Sequence, residues 1–190
     1  MIAVATAEDD VAQFSALLEQ HTENGFDPII TSGGVSAGAY EVVKDAFGPD
    51  GVRGGESVEF VKVAIQPGMP QGVGRVAGTT IVTLPGNPVS ALVSFEVFIR
   101  PALRMAMGLP APYRPHRPAV LAESLTSPRG KRQFRRAILD PETGSVVSYG
   151  PPASHHLRWL ASANDPLDRI TNILPGRDPD QPVRCPNSVR

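Results

Sequence analysis

Apolar positions along the 190-residue chain fall in short blocks separated by stretches of helical period. "IAVAT" (2–6) reads as a buried strand. Asp9 or Asp10 can cap the helix that follows, where Val11, Phe14, Leu17 and Leu18 recur at helical spacing. "PIIT" (28–31) predicts the next strand and "AYEVVKDAF" (39–47) a short helix. "VEFVKVAI" (58–65) and "TTIVTL" (79–84) predict two more strands, and "GPDGVRGG" (48–55) and "QPGMPQGVG" (66–74) are loops by composition. The strongest helical pattern starts at Asn87, with Leu92, Phe95, Ile99, Leu103 and Ala106 on one stripe. Pro101 lies inside it, lacks an N–H, and predicts a kink or a restart.

This alternation of strand and helix predicts an α/β domain over residues 1–108, with a mostly parallel sheet covered by helices. "GLPAPYRPHRP" (108–118) then reads as a linker. Beyond it the runs "AVLAESL", "QFRRAIL" and "SVVSYG" are strand-like without a long helix, so residues 109–164 predict a small β domain. Residues 165–190 carry five of the chain's 20 prolines and little apolar periodicity, and are expected to be poorly ordered.

Composition narrows the function classes. A formal net charge of −1 supplies no cationic excess for a general nucleic-acid binder. No apolar run is long enough to span a bilayer, and "MIAVATAEDD" turns acidic too soon for a secretory leader, so a cytoplasmic setting is expected. The single cysteine, Cys185, excludes an internal disulfide framework and a Cys-rich zinc site.

Two Gly-rich turns follow strands and lead into helices: "SGGVSAG" (32–38) and "LPGNPVSA" (84–91). In the second, Asn87 suits the N-cap, Pro88 the first helical position and Ser90 the third. A helix begun this way directs free N–H groups at an anion. In an open parallel sheet both turns lie at the carboxyl ends of the strands, where ligands bind. Glycines 33 and 34 would let the backbone come close, and Ser32 and Ser36 would add hydroxyls. Ordinary strand–helix turns are the bland alternative. Asp9, Asp10 and Glu41 fall on the same edge. There they would hold Mg²⁺ against phosphate oxygens, unless the aspartates merely cap the helix and Glu41 is solvated. Lys131, Arg132, Arg135 and Arg136 are an oxyanion site or a solvated strand face. His155 and His156 are adjacent, do not share a face, and read as packing or surface residues.

"SGGVSAGAYEVVKDAF", "VAIQPGMPQGVGR" and "LPGNPVSALVSFEVFIRPALRMAMG" resemble the molybdopterin-binding domain of the molybdopterin molybdenumtransferases, the MoeA and gephyrin E-domain family. "SPRGKRQFRRAIL" and "GPPASHHLRWLASAN" are similar to that family's C-terminal β domain. The resemblance runs over about residues 1–164. It implies a three-layer α/β/α domain followed by a small β domain, corresponding to the C-terminal portion of the family. The family's first strand and two N-terminal domains have no counterpart here. It also implies a cytoplasmic homodimer that uses Mg²⁺ and molybdate to insert molybdenum into adenylylated molybdopterin, releasing AMP.

Carried over by motif, pterin and phosphate contacts fall on Ser32, Gly33, Gly34, Ser36, Pro85, Gly86, Asn87 and Ser90. The acidic catalytic position falls on Glu41, and Asp9 or Asp10 matches a further acid near the metal. The molybdate contacts fall on Arg132, Arg136 and Ser154. Where some relatives carry lysines in a "KPGKP" loop, this chain has Gln66 and Met69. Two other readings stay open: a pterin-binding module without catalysis, and a protein like the related molybdopterin adenylyltransferases.

Overall fold

The structure, a computed structural model, describes residues 2–34, 42–47, 58–150, 170–173 and 183–186. The chain divides into two compact units, one of residues 1–63 and 69–86, the other of residues 64–68 and 87–190. This division differs from the sequence boundaries at 108 and 164. Loop 64–68 belongs with the second unit because Ala64 accepts a hydrogen bond from the Arg132 backbone N–H at 2.8 Å.

In the first unit, α1 (Val11–Glu23) precedes β1 (Ile29–Ser32), α2 (Val42–Phe47), β2 (Val58–Lys62), β4 (Pro70–Val76) and β5 (Thr79–Leu84). Asp10 begins α1: its side chain accepts from the Gln13 N–H at 2.9 Å, and Gln13 Oε1 accepts from the Glu8 N–H at 2.7 Å. This is a capping-box exchange shifted by two residues, and it turns the chain sharply before the helix. Residues 2–6 therefore approach α1 without forming the strand expected from "IAVAT"; Ile2 is 93% exposed and Val4 92%. A strand is held by its ladder, and these five residues have no ladder partner among the described residues.

The sheet order is β1-β5-β4-β2. The expectation of a mostly parallel sheet holds at β1–β5, where Ile29–Ser32 run beside Ile81–Leu84. It is corrected in β5–β4–β2, which is antiparallel. The reason is local: β4 and β5 are joined by Ala77-Gly78, both at positive φ, and a two-residue hairpin reverses the chain. Helices α1 and α2 bury Phe14, Leu18, Val43, Ala46 and Phe47 over Val76 and Ile81. Phe14 and Phe47 meet edge to face, with ring centroids 6.3 Å apart.

In the second unit, α3 (Pro88–Ser94), a π-helical turn (Phe95–Ile99) and α4 (Arg100–Ala106) form one continuous helical run. The break expected at Pro101 takes the form of this π turn, in which the Arg100 N–H donates to Phe95 O. A widened turn ahead of a proline accommodates the missing N–H and the ring. It also shifts the phase of the stripe. Ile99 is buried, whereas Ala106, expected on the core face, is exposed. Gly108 then closes the helix at positive φ, with its N–H on Met105 O and the Leu109 N–H on Arg104 O. This is a Schellman motif, which stops the helix where the linker begins.

The remaining strands are β3 (Ile65–Gln66), β6 (His116–Leu121), β7 (Arg132–Leu139), β8 (Ser145–Ser148), β9 (Ile170–Ile173) and β10 (Val183–Pro186). Pairings run β7–β8–β6–β10–β9 and return from β9 to β7, so five strands close on themselves. The expected small β domain is there, and residues 170–173 and 183–186 from the Pro-rich segment contribute two of its strands. Ala119, Ala137 and Val146 form its core. At the β7–β8 turn, the Thr143 hydroxyl and the Glu142 N–H hold the Asp140 carboxyl below its ordinary range. Among the described residues, no helix is long and apolar enough to cross a membrane.

Candidate functional site

The parallel pairing of β1 with β5 brings the two Gly-rich turns out side by side. Their backbones are joined: the Gly33 N–H donates to Leu84 O at 3.0 Å, and Ser32 Oγ donates to Pro85 O at 3.2 Å. A Cβ on Gly86 would lie 3.2 Å from Gly33 Cα, so the two turns touch through glycine. Gly33 and Gly34 have φ of +101° and +67°, where other residues are strained. Behind them, a Cβ on Gly34 would meet Val43 Cγ2 of α2 at 2.8 Å. Helix α2 thus sits against the turn because residue 34 has no side chain.

These contacts refine the expected roles. The Gly33 N–H is used by Leu84, so this residue offers a ligand close approach and not a donor. Ser32 has spent its hydrogen on Pro85, and its oxygen can still accept. Pro85 is buried and Gly86 is exposed at the tip of its turn. Asn87 is the N-cap of α3, yet its side chain makes no capping bond, leaving an exposed amide next to Gly86. Ser90 is buried. Ser36, Glu41 and Ser154 lie outside the described residues.

A groove of about 540 Å³ runs along β1, with Asp9, Ser32, Gly33 and Gly34 on its wall and Phe14 and Leu18 on its apolar side. Its size is that of small-molecule sites. Asp9 and Ser32 line one cavity. Asp10 instead serves as a helix cap. Asp10 Oδ1 accepts from the Gln13 N–H, and Glu41, the third carboxylate expected at a Mg²⁺ ion, lies outside the described residues. Among the described residues no three His, Cys, Asp or Glu side chains gather at one point. Capping also sets an expected outcome for Asp10→Ala: a loss of ~1 kcal/mol of stability in denaturant titration, the same with and without 10 mM Mg²⁺. A magnesium-dependent difference would return Asp10 to a metal role.

The basic stretch of β7 separates into different tasks. Arg135 donates to Gln133 Oε1 and Thr126 O, both at 2.8 Å, and ties the preceding loop to the strand. Arg136 is buried, and desolvation lowers its pKa from the ordinary arginine value. Arg132 is exposed. Arg132 and Arg136 share a strand face four residues apart, about 13 Å along the backbone. The sequence reading gave no role to Gly68. Its φ is +100°, and a Cβ there would stand 2.8 Å from Ser94 Oγ and 3.3 Å from Ser90 O of α3. The glycine in "QPG" was the available signal, and its meaning required knowing which helix lay beside it.

Residues 1–105 match the family described as "Probable molybdopterin binding domain", and residues 118–164 match the "MoeA C-terminal region (domain IV)". The chain belongs to this MoeA family of molybdopterin-binding proteins. It is 79% identical over 175 residues to molybdopterin molybdenumtransferase 2 of Mycobacterium tuberculosis, covering 92% of this chain and 43% of that protein. Molybdopterin molybdenumtransferase 1 of the same organism is 33% identical over 170 residues, with 85% and 38% covered. The MoeA crystal structure from Pyrococcus horikoshii has a TM-score of 0.68 at 24% identity, covering 95% of this chain and 41% of that one, and shares its fold. The chain thus spans about two fifths of the length of these relatives.

Proposed function

We propose that this chain is the catalytic portion of a molybdopterin molybdenumtransferase, acting in molybdenum cofactor biosynthesis. Residues 1–108 would hold adenylylated molybdopterin and residues 109–164 would form the β domain. The observation that carries this reading is the junction of the two glycine turns, Gly33 against Gly86. It opens a backbone-lined surface at the carboxyl ends of two parallel strands, where a phosphorylated ligand can lie against main chain.

The residues assigned to the ligand are Ser32, Gly33, Gly34, Pro85, Gly86, Asn87 and Ser90, with Ser36 beside them. Ser32 Oγ and the Asn87 amide would orient the phosphate, and the glycines would admit it. Glu41, with Asp9, would handle the proton and any magnesium, and Arg132, Arg136 and Ser154 the molybdate. A cytoplasmic homodimer is part of this reading.

The test is molybdate-dependent conversion of adenylylated molybdopterin to AMP and molybdenum cofactor by the 190-residue chain. Wild type is expected to turn over. Gly86→Val is expected to lower turnover at least tenfold, because its side chain would press on Gly33 Cα, 3.2 Å from the added Cβ, and part the two turns. Binding of molybdopterin without any turnover would establish the binding-module reading instead. Turnover unaffected by Gly86→Val would remove the glycine junction from the site.

A further inference from the structure

Strand β1 lies at the end of its sheet, paired with β5 and with no second strand among the described residues. In a parallel ladder, successive residues turn their N–H and C=O to opposite sides. The Gly33 N–H on Leu84 O, with Thr31 in register with Thr83, puts the backbone groups of Ile29, Thr31 and Gly33 on the β5 side. Ile30 and Ser32 therefore turn their N–H and C=O to the open edge, where the groove along β1 runs. Unpaired backbone of this kind is a template for a further strand.

Residues 3–7 form another wall of the same groove. They have the composition of a strand and, like the outer edge of β1, no ladder partner among the described residues. Two buried polar atoms of groove residues, His21 Nδ1 and Thr31 Oγ1, have no hydrogen-bond partner among the described residues. Phe14, Leu18 and Val43 supply apolar contact. An occupant must therefore offer N–H and C=O groups at the strand repeat together with apolar side chains, and an extended peptide does both. Charge is one-sided: Glu8 and Asp9 line the groove, and no lysine or arginine does among the described residues. Gly86 is not on its wall, so a segment lying along β1 leaves the junction of the two glycine turns open.

We propose that this groove is a strand-acceptor site, in which the open edge of β1 takes up an extended, β-branched segment of a partner polypeptide that carries a lysine or arginine. Backbone bonds to Ile30 and Ser32 give the affinity. The apolar wall selects alternate side chains of the segment, and Glu8 and Asp9 select its cation. The inference rests on the ladder of β1 and is independent of the reaction proposed above.

The experiment is fluorescence anisotropy of a labelled, end-blocked octapeptide of alternating valine and threonine with lysine at both ends, titrated with the 190-residue chain without substrate. Saturable binding is expected. The fully N-methylated peptide, which has no N–H to give, is expected to bind at least tenfold more weakly, as is the peptide with glutamate in place of lysine. Ile30→Pro removes an outward N–H and leaves the β5 ladder its donors, a position where an edge strand tolerates proline. It is expected to weaken binding at least tenfold with an unchanged circular dichroism spectrum. In hydrogen exchange, the Ile30 amide is expected to exchange at least tenfold more slowly once the peptide saturates the chain. Absence of saturable binding would overturn the proposal, as would binding indifferent to N-methylation. An Ile30 amide already protected in the free chain would overturn it too, by showing that residues 2–6 or a second copy fill the groove.

Discussion

Gly72→Ala is expected to cost about 2–3 kcal/mol, seen as a melting temperature lower by roughly 6–10 °C. Gly72 lies in β4 between two strands, directly opposite Phe60 of β2 and Thr83 of β5. A Cβ there would overlap Thr83 Oγ1 and come within 3.0 Å of the Phe60 ring. Neither neighbour yields easily. Thr83 is fully buried and β-branched, which restricts its χ1, and Phe60 packs against the core of α1 and α2. Removing the obstructing atoms should therefore relieve the strain. Combined with Thr83→Ala, the glycine substitution is expected to cost at least 1 kcal/mol less than it does alone. Strict additivity of the two would show that β4 and β5 are not registered Gly72 to Thr83.

Gly34→Ala is the second large effect, and it reaches the candidate site. Two costs add. The backbone at φ +67° disfavours any side chain, and a Cβ would lie 2.8 Å from Val43 Cγ2 and 3.1 Å from the Val43 nitrogen. The first costs about 1–2 kcal/mol and the second about 1–2 more. Gly33→Ala separates them, because its φ of +101° carries the conformational cost while nothing lies within 4 Å of its Cβ. Denaturant titration is expected to rank wild type above Gly33→Ala and Gly33→Ala above Gly34→Ala. The latter should also bind adenylylated molybdopterin at least tenfold more weakly, since α2 and the turn must part. Equal stability of the two variants would mean that Val43 does not abut the turn.

Both predictions depend on neighbours that are remote in sequence, and the same divide runs through the whole molecule. The two glycine turns, the cap position before α1, the break at Pro101 and the strand-rich second half were all legible from local pattern. Each is set by chemistry within a few residues: a glycine's freedom at positive φ, a carboxylate one turn from an N–H, a proline without a donor. The family resemblance was legible for the same reason, since its motifs are these turns.

Other features required the fold. "IAVAT" has the composition of a strand but lacks a ladder partner, and a strand's stability belongs to the pair. The β2–β4–β5 meander runs antiparallel because Ala77-Gly78 closes a hairpin. The alternation of strand and helix on either side of it pointed to parallel pairing. The Gly33 N–H is spent on Leu84 O, and Arg135, whose sequence fitted an oxyanion site or a solvated strand face, has its guanidinium on Thr126 and Gln133. By itself, the sequence determined where the chain turns, caps and breaks, because those choices are made by neighbours in the chain. The tertiary structure decided which donors are spent and which faces are left open, because hydrogen bonds and burial are settled by neighbours in space.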